Sequence, residues 1–384
     1  MKKPDSCKGC SLYSHFGGGG FVPQPTGRGS NGLVILGEKN GATEARRNLP
    51  FHPHAAAGHQ LDKTLKRLNK SREGFKIGNV ISCQPLGDKL AHMPWEFDSI
   101  DYCKKVHLSS WLPANGQQVI FALGDIALRE LTEFSGIGSE KQSISHLRGY
   151  PLKSKYGWVI PSYNPGFVSR GKPQYAHYLR DDLTKAFFVH EHGWEARPEA
   201  RFIENPSKDQ KRDFYREAKS LAESRPESPL FVDIETTDSA DTEEDERQGL
   251  ESNTILTVQF AFEKSYAIDV KWSEENMAFI KLMLLLPNWK AGFNSWNFDF
   301  PRLRSKGLAI NGVLLDLMWM FKHWQPGLER GLQKVASLFN YPAPWKHLSA
   351  SQPGFYGCSD VDALAYIYAP LKAQMEKERI WGNF

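Results

Sequence analysis

The chain alternates short apolar runs with longer segments in which apolar positions recur every three or four residues. The segments that contain these runs begin at Leu33, Lys76, Val119 and Trp158, and segments with helical spacing lie between them, as in 61–68. Short apolar strands separated by amphipathic helices are typical of βαβ units and of a mainly parallel sheet. We therefore predict an α/β domain, with any ligand bound where its strands end.

A second α/β pattern begins with the apolar strand at Pro229. Two further strands are predicted near 254–262 and 265–270. Four helices are predicted after them, at roughly 274–286, 297–306, 328–339 and 360–378. This order of strands and helices predicts a second domain with its own sheet.

The interval between the two patterns is rich in charged residues and proline. It covers 191–228 and has one helical patch around 209–223, so we predict a connection between domains at 1–190 and 229–384. The acidic stretch 238–251 within the second domain is predicted to be a loop.

Composition sets limits on the class of protein. With 384 residues, of which 40% are hydrophobic, the chain can form two cores. It has no apolar run of about 20 residues and no apolar signal segment at its start, which predicts a cytoplasmic protein without a membrane partner. The first 195 residues carry a net charge of +8 and the rest −4. A basic half suits a polyanion such as DNA, although ordinary solvated surface has the same composition.

Carboxylates recur in the second domain at positions suited to metal binding. Asp233 and Glu235 are two residues apart on a predicted strand, so both side chains lie on the same face. Asp299 follows at the start of a helix, and Tyr356 lies one turn before Asp360. Mg²⁺ and Mn²⁺ prefer oxygen ligands, and phosphodiester hydrolysis benefits from two such ions about 4 Å apart.

These DxE, NxxxFD and YxxxD elements, in this order, resemble the proofreading 3′→5′ exonucleases of the DEDD superfamily. The resemblance covers 229–384 and implies a ribonuclease H-like α/β domain that binds two Mg²⁺ or Mn²⁺ ions and shortens single-stranded or primer 3′ ends. It implies that Tyr356 orients the attacking water and that Asn294 and Phe298 surround the terminal nucleotide. The metal ligands that it implies are Asp233, Glu235, Asp299 and Asp360. Asp316 either lines the same cleft or forms a turn.

Four of the five cysteines lie in the first 103 residues, at Cys7, Cys10, Cys83 and Cys103. In a chain predicted to be cytoplasmic, these cysteines do not predict a disulfide framework. Four thiolates suit Zn²⁺ and an iron–sulfur cluster equally well, and independent free cysteines are the remaining alternative.

The N-terminal pattern resembles the family 4 (iron–sulfur) uracil-DNA glycosylases. The matching segments are Gly37-Glu38, Pro50-Phe51, Asn79-Val-Ile-Ser-Cys83-Gln-Pro85, Ala122-Leu-Gly124, Arg148-Gly149 and Pro161-Ser-Tyr-Asn-Pro165. The resemblance implies an α/β/α domain in which the four cysteines hold a 4Fe-4S cluster. It also implies a pocket for a flipped base, with Phe51 stacking on the base, Asn79 reading its edge and Glu38 beside the sugar.

Two positions depart from that family pattern. The first motif continues as Lys39-Asn40-Gly41, and Asn164 stands in place of a histidine that stabilises the departing base. A neutral amide stabilises negative charge less well than a histidine. His54, in a longer loop, either replaces that histidine or lies at the surface.

Three functional hypotheses follow. We favour an exonuclease whose glycosylase-like domain binds DNA or senses a base without excising it. The first alternative is a bifunctional DNA-repair enzyme that also excises uracil or a modified pyrimidine. The second is a replication protein, because the arrangement resembles the N-terminal part of some bacteriophage family A DNA polymerases. Only 24 residues follow Asp360, so that hypothesis predicts a fragment, or a proofreading subunit of a separately encoded polymerase in a bacterial or phage-infected cell.

Overall fold

The computed structural model describes residues 1–14, 20–132, 143–194, 199–237 and 254–383. The chain forms two compact units, Met1–Glu195 and Ala196–Phe384. The acidic stretch 238–251, predicted to be a loop, lies outside the described residues. Within the described ranges, no helix is both long enough and apolar enough to cross a membrane.

The first unit contains a five-stranded sheet. Its strands are β1 (Leu33–Gly37), β2 (Lys76–Asn79), β3 (Gln118–Leu123), β4 (Leu152–Ser154) and β5 (Gly157–Ser162). Their order is β2-β1-β3-β5-β4, and all neighbours are parallel except β4 and β5. β1 is buried along its whole length, as expected for a parallel strand covered on both faces.

Helices surround this sheet. They are α1 (Ser11–Ser14), α2 (Ala42–Arg47), α3 (Ala56–Arg67), α4 (Glu96–Val106), α5 (Asp125–Leu131), α6 (Ile144–Leu147), α7 (Pro165–Gly171) and α8 (Ala176–His192). Short 3-10 turns occur at Asp5–Cys7, Arg72–Gly74, Leu86–Asp88, Leu108–Ser110 and Pro173–Tyr175. Side chains of α1, α4 and α5 form one apolar cluster with β1 and β3, which also contains Cys83 and Cys103.

The second unit contains a six-stranded mixed sheet. Its strands are β6 (Arg201–Glu204), β7 (Leu230–Thr236), β8 (Ile255–Glu263), β9 (Tyr266–Lys271), β10 (Lys290–Gly292) and β11 (Leu314–Asp316). Their order is β11-β10-β7-β8-β9-β6, with β8 antiparallel to both of its neighbours. β7 is therefore an interior strand, bonded to β10 on one side and to β8 on the other.

The helices of the second unit are α9 (Lys208–Ser224), α10 (Glu274–Leu284), α11 (Asp299–Ser305), α12 (Leu317–Trp324), α13 (Leu332–Ala336) and α14 (Pro353–Lys377). Short 3-10 turns occur at Ser337–Phe339, Lys346–Leu348 and Trp381–Asn383. The predicted helix at 328–339 is shorter than expected, and the helix predicted from 360 begins at Pro353, a favourable first position because proline needs no N–H partner there. The two units confirm the predicted α/β fold class.

The predicted connection 191–228 is wrong as a linker. Its central part contributes edge strand β6, which pairs in parallel with β9, and helix α9 to the second unit. α9 begins with a capping box between Ser207 and Gln210 and buries Phe214, Ala218 and Ala222 at intervals of four residues. Its charged face concealed this apolar stripe in the composition, so the second unit begins earlier than the predicted 229.

Candidate nuclease and base-binding sites

Strand β7 presents two carboxylates on one face of the second sheet. Asp233 lies opposite Gln259 of β8, and Glu235 lies opposite Thr257. The intervening residue, Ile234, points the other way and is buried in the core. The alternation predicted from the sequence thus places both acids on the same face.

Helix α14 supplies the third carboxylate and the phenol. Tyr356 and Asp360 are one helical turn apart, and Asp360 is buried. Single oxygen atoms of Asp233, Glu235 and Asp360 all lie within 4.8 Å of one another. Three carboxylate oxygens this close fit a hard divalent cation on donor chemistry alone, because Mg²⁺ and Mn²⁺ prefer such ligands.

Asp299 approaches the same strand from helix α11, whose first residue it is. Its Oδ1 atom accepts a hydrogen bond of 3.0 Å from the backbone N–H of Ile234, between the two acids of β7. Burial, and then the neighbouring Asp316 and Glu235 carboxylates, raise the pKa of Asp299 to about 8. Asp299 therefore belongs to the acidic centre, although it lies outside the three-oxygen group.

Proton binding at the centre is strengthened by burial and by like charges. Burial raises the pKa of Asp233 well above its ordinary value, and the carboxylates of Asp299, Asp360 and Glu235 raise it further. Burial together with Asp360 raises the pKa of Glu235 to about 7. Without a cation, such carboxyl groups retain protons at neutral pH.

We expect the stability of the metal-free protein to fall as pH rises from about 5 to 8. At pH 5 a carboxyl group with an ordinary pKa of about 4 has already lost most of its proton in the unfolded state, whereas Asp299, with a pKa of about 8, keeps its proton in the folded state until the pH approaches 8. The folded state then binds more protons than the unfolded state, so the free energy of unfolding decreases with pH. Mn²⁺ replaces these protons, and its stabilising effect should increase over the same range.

Melting temperatures measured from pH 5 to 8, with and without Mn²⁺, check this expectation. The Asp299→Asn variant is the matched comparison, because it keeps the oxygen that accepts from Ile234. The metal-free slope should be shallower in this variant. Equal slopes in the two proteins would show that Asp299 titrates normally.

Asp316 fixes the loop that leads to Asp299. It is fully buried, and its two oxygens accept four backbone hydrogen bonds of 3.0–3.3 Å. Two donors lie in the loop, at Asn294 and Trp296, and two lie at the start of α12. Asp316 was predicted either to line the cleft or to form a turn. Its hydrogen bonds fit the second role, because both of its oxygens bind backbone N–H groups.

The other two predicted neighbours of the site have partners of their own. Asn294 has a positive φ of 61° and accepts a hydrogen bond of 3.1 Å from the side chain of Asn297. The ring of Phe298 packs against the core and lies under the guanidinium of Arg302, 3.6 Å from the ring centroid. Both positions shape the loop before Asp299.

Lys346 was missed by the sequence interpretation. Its ammonium group lies 2.9 Å from Asp360 Oδ2 and donates to the phenol oxygen of Tyr356 at 2.6 Å. The indole Nε1 of the preceding Trp345 donates to Asp360 Oδ1 at 2.7 Å. Lys346 lies in a short 3-10 turn, away from any motif spacing, so no periodic signal identified it.

A cavity of about 560 Å³ lies at the ends of strands β1 and β2 in the first unit. All four predicted base-binding residues line it: Glu38, Phe51, Asn79 and Asn164. They come from four separated segments, and the parallel pairing of Gly37 with Asn79 brings two of those segments together. The cavity therefore has the position predicted from the strand ends.

Asn79 is held in one orientation by two neighbours. Its backbone N–H and C=O both bond to the side chain of Gln24, at 2.9 and 2.7 Å. Its amide nitrogen donates to Oδ1 of Asn40 at 3.0 Å. The Asn79 Oδ1 atom is buried and has no hydrogen-bond partner among the described residues, so this residue of the cavity wall keeps an unused acceptor.

Phe51 is held in an unusual backbone conformation. Its φ is 48°, in the left-handed region that non-glycine residues rarely adopt. Arg72 supports it by donating to the carbonyls of Pro50 and Phe51 at 2.9 and 3.0 Å, while pairing with Asp62. A Cβ atom at Gly37 would lie 2.4 Å from the Phe51 ring, so only glycine fits beneath it.

Three further residues of the cavity wall differ in their hydrogen bonds and exposure. Glu38 accepts a backbone hydrogen bond from Ile126 at the start of α5, and burial raises its pKa. Asn164 caps α7, because its Oδ1 accepts from Gly166 N at 2.8 Å. His54 is exposed at the cavity rim and stacks on His52, with 5.2 Å between ring centroids.

The four N-terminal cysteines converge on one small cavity, which they line together with Lys3 and His107. Cys103 accepts a hydrogen bond of 3.3 Å from Ser82 N, and the Cys7 sulfur lies 3.1 Å from His107 Nε2. Burial raises the pKa of Cys83 to about 12 and that of Cys103 to about 11. Although all four cysteines are described, no three of their sulfurs lie within 4.8 Å of one another.

A comparison with known protein families gives a match in the first unit. The model of the uracil DNA glycosylase superfamily matches residues 25–188, a region that contains all four residues of the cavity. No curated protein matches the chain.

Several solved structures are similar at low identity. Brucella melitensis NrnC with bound Mg²⁺ is 17% identical with a TM-score of 0.33, covering 48% of this chain and 85% of that one. The EXD2 exonuclease domain soaked in Mn and GMP is 16% identical with a TM-score of 0.24, covering 46% and 94%. The POL domain of Pol1 from M. smegmatis, in complex with DNA primer-template and dNTP, is 15% identical with a TM-score of 0.34, covering 47% and 28%.

Proposed function

We propose that the second unit is a divalent-metal-dependent 3′→5′ DNA exonuclease of the proofreading type. The observation that carries the proposal is the convergence of Asp233, Glu235 and Asp360 within 4.8 Å. Asp299 reaches the same strand, and Tyr356 lies one turn from Asp360. Four neighbouring carboxylates and a phenol have the composition that metal-assisted phosphodiester hydrolysis needs.

Each side chain then has a chemical task. Asp233, Glu235, Asp360 and Asp299 would hold two Mg²⁺ or Mn²⁺ ions, which when bound supply a Lewis acid and a water of lowered pKa. Burial raises the pKa of Tyr356 above its ordinary value, so its side chain remains a phenol at neutral pH. A phenol can orient a water molecule by hydrogen bonding, and the contact from Lys346 fixes its oxygen.

Degradation of a single-stranded oligonucleotide labelled at its 5′ end tests the proposal. With Mg²⁺ or Mn²⁺ the strand should shorten stepwise, and with a chelator it should stay intact. The proofreading role implies a DNA polymerase as partner, which copurification would detect. Degradation that continues undiminished in the chelator would exclude the metal-dependent mechanism.

We propose that the first unit binds DNA or senses a base without excising it. The match to the glycosylase superfamily and the grouping of Glu38, Phe51, Asn79 and Asn164 around one cavity support base binding. The free Oδ1 of Asn79 accepts from a base edge that carries a donor, such as the N3–H of uracil. Asn164 offers only a neutral amide nitrogen, which stabilises a departing base weakly. Excision of uracil is the alternative function.

Binding and excision can be separated with a uracil-containing single strand. We expect preferential binding over a cytosine-containing strand, reduced about tenfold in Asn79→Ala because one buried hydrogen bond is lost, and no abasic sites. Asn115→Ala, in an exposed turn, is the control. Filter binding and abasic-site cleavage measure the two properties. Robust excision that Asn79→Ala abolishes would establish the bifunctional enzyme instead.

We further propose that Cys7, Cys10, Cys83 and Cys103 hold a 4Fe-4S cluster. A single tetrahedral Zn²⁺ with bonds of about 2.3 Å brings its sulfurs to within about 3.8 Å of one another. The convergence of the four cysteines on one cavity, in the region that resembles the iron–sulfur glycosylases, supports the cluster. Broad visible absorption of the purified protein would support the cluster, and a colourless protein containing zinc would replace it.

A further inference from the structure

Lys346 has an unusual position for a lysine close to a cation site. Its ammonium group lies 2.8 Å from Asp360 Oδ1, 2.9 Å from Asp360 Oδ2 and 2.6 Å from the Tyr356 hydroxyl. It thus contacts both oxygens of a carboxylate whose neighbours are Asp233 and Glu235. The singly charged ammonium group of Lys346 therefore lies against the carboxylates that could bind a divalent metal ion.

The fold positions this lysine through a buried glutamine. Gln333, on α13, accepts hydrogen bonds of 2.8 Å from the backbone N–H groups of both Trp345 and Lys346 through its single Oε1 atom. Trp345 is fully buried, and its indole donates to Asp360. Two consecutive side chains therefore converge on one carboxylate from a backbone that Gln333 fixes. An incidental surface ion pair would lack such support.

Two physical effects follow from this arrangement. First, Lys346 joins Tyr356 to Asp360, so the phenol oxygen is held at a fixed place relative to the carboxylates. Second, a positive charge this close to Asp360 opposes the binding of a metal ion by Coulomb repulsion. When no metal ion is bound, the same charge offsets the repulsion among the four carboxylates. Lys346 should thus favour the geometry of the reaction and weaken metal binding at the same time.

We propose that Lys346 is a positioning residue of the nuclease site, which fixes Tyr356 against Asp360 and limits how tightly the carboxylates bind a divalent cation. This inference rests on the proposed nuclease function. It assigns opposite effects on turnover and metal affinity to one side chain. If the lysine only stabilised the fold, its replacement would lower both turnover and metal affinity.

The test compares Lys346→Met, Lys346→Arg and the control Lys219→Met in the full chain. Lys219 pairs with Glu223 on helix α9, so its replacement removes one positive charge elsewhere in the same unit. Isothermal titration without DNA gives the Kd for Mn²⁺, and degradation of a single-stranded oligonucleotide gives kcat and KM. The Asp233→Ala/Glu235→Ala variant identifies which binding signal belongs to the carboxylates.

We expect Lys346→Met to bind Mn²⁺ about tenfold more tightly, because a repelling charge is gone. Its kcat should fall about a hundredfold, with KM within about threefold of wild type, because the phenol loses its fixed donor. Lys346→Arg should keep the wild-type Mn²⁺ affinity within about twofold and lose about tenfold in kcat, since a planar fork does not place a single donor as lysine does. Lys219→Met should change neither property.

Weaker Mn²⁺ binding in Lys346→Met, or an unchanged kcat, would overturn the inference. If that variant does not fold, Lys346→Arg decides: wild-type kcat or clearly weaker Mn²⁺ binding would overturn it. If the wild-type protein binds Mn²⁺ and degrades DNA, and Lys346→Met does both equally well, this inference is wrong and the nuclease proposal stands. A wild-type protein that does neither removes the nuclease proposal and this inference with it.

Discussion

Replacing Asp233 and Glu235 together by alanine should lower the rate of 3′-end degradation by at least about 10³-fold. The two acids supply two of the three oxygens that converge within 4.8 Å, and stabilisation by a catalytic metal is worth several kcal/mol, each 1.4 kcal/mol being about a tenfold change in rate. The variant should also fail to bind Mn²⁺. Its fold should persist, because removing two crowded carboxylates relieves the repulsion that raises the pKa of Asp233.

The matched control removes two carboxylates from the surface of the same unit. Glu274→Ala/Glu275→Ala changes exposed residues in the first turn of α10 and should retain wild-type activity. Rates are measured with an excess of Mg²⁺ or Mn²⁺ over protein. Full activity in Asp233→Ala/Glu235→Ala would remove the assignment of the nuclease site.

Replacing Asp182 by alanine should destabilise the first unit by about 3–5 kcal/mol, because it leaves a buried arginine without its counter-ion. Asp182 and Arg148 are each 1% exposed and form two hydrogen bonds, of 2.7 and 3.1 Å. Asp182 also accepts from the Ser162 hydroxyl at 2.7 Å, at the end of β5. The loss should therefore extend to the strand that precedes Asn164.

Asp181→Ala provides the control at the adjacent position. Asp181 pairs with Arg180, and both side chains are about two-fifths exposed, so its loss should cost less than about 1 kcal/mol. Hydrogen exchange of amides in β3 and β5 measures the opening of the first unit separately from the second. Equal protection in the two variants would mean that the buried pair contributes no more than the exposed one.

The local part of the nuclease site could be predicted from the sequence. The side chains of a strand alternate, and those of a helix repeat each turn, so Asp233 with Glu235, and Tyr356 with Asp360, were already placed on common faces. Asp316 shows the limit of that reasoning. Its pattern allowed two roles, and only the four backbone donors around it distinguish them.

Contacts between distant segments could not be predicted in this way. Gln333, 27 residues before Asp360, fixes the backbone of Lys346, and Gln24 fixes Asn79 from 55 positions away. No periodicity connects such residues, because the fold alone brings their segments together. Helix α9 was hidden for another reason: its three buried apolar positions stand among charged residues, which dominated the composition of 191–228.

Product analysis of labelled DNA tests the central claim most directly. One single-stranded oligonucleotide carries its label at the 5′ end and a second carries it at the 3′ end, and each is incubated with the protein and Mn²⁺. The carboxylate site predicts a ladder of 5′-labelled fragments that shorten one nucleotide at a time, and immediate release of the 3′ label as a mononucleotide. Neither product should form with Asp233→Ala/Glu235→Ala. Internal fragments from the 5′-labelled strand, or equal degradation by that variant, would contradict the account.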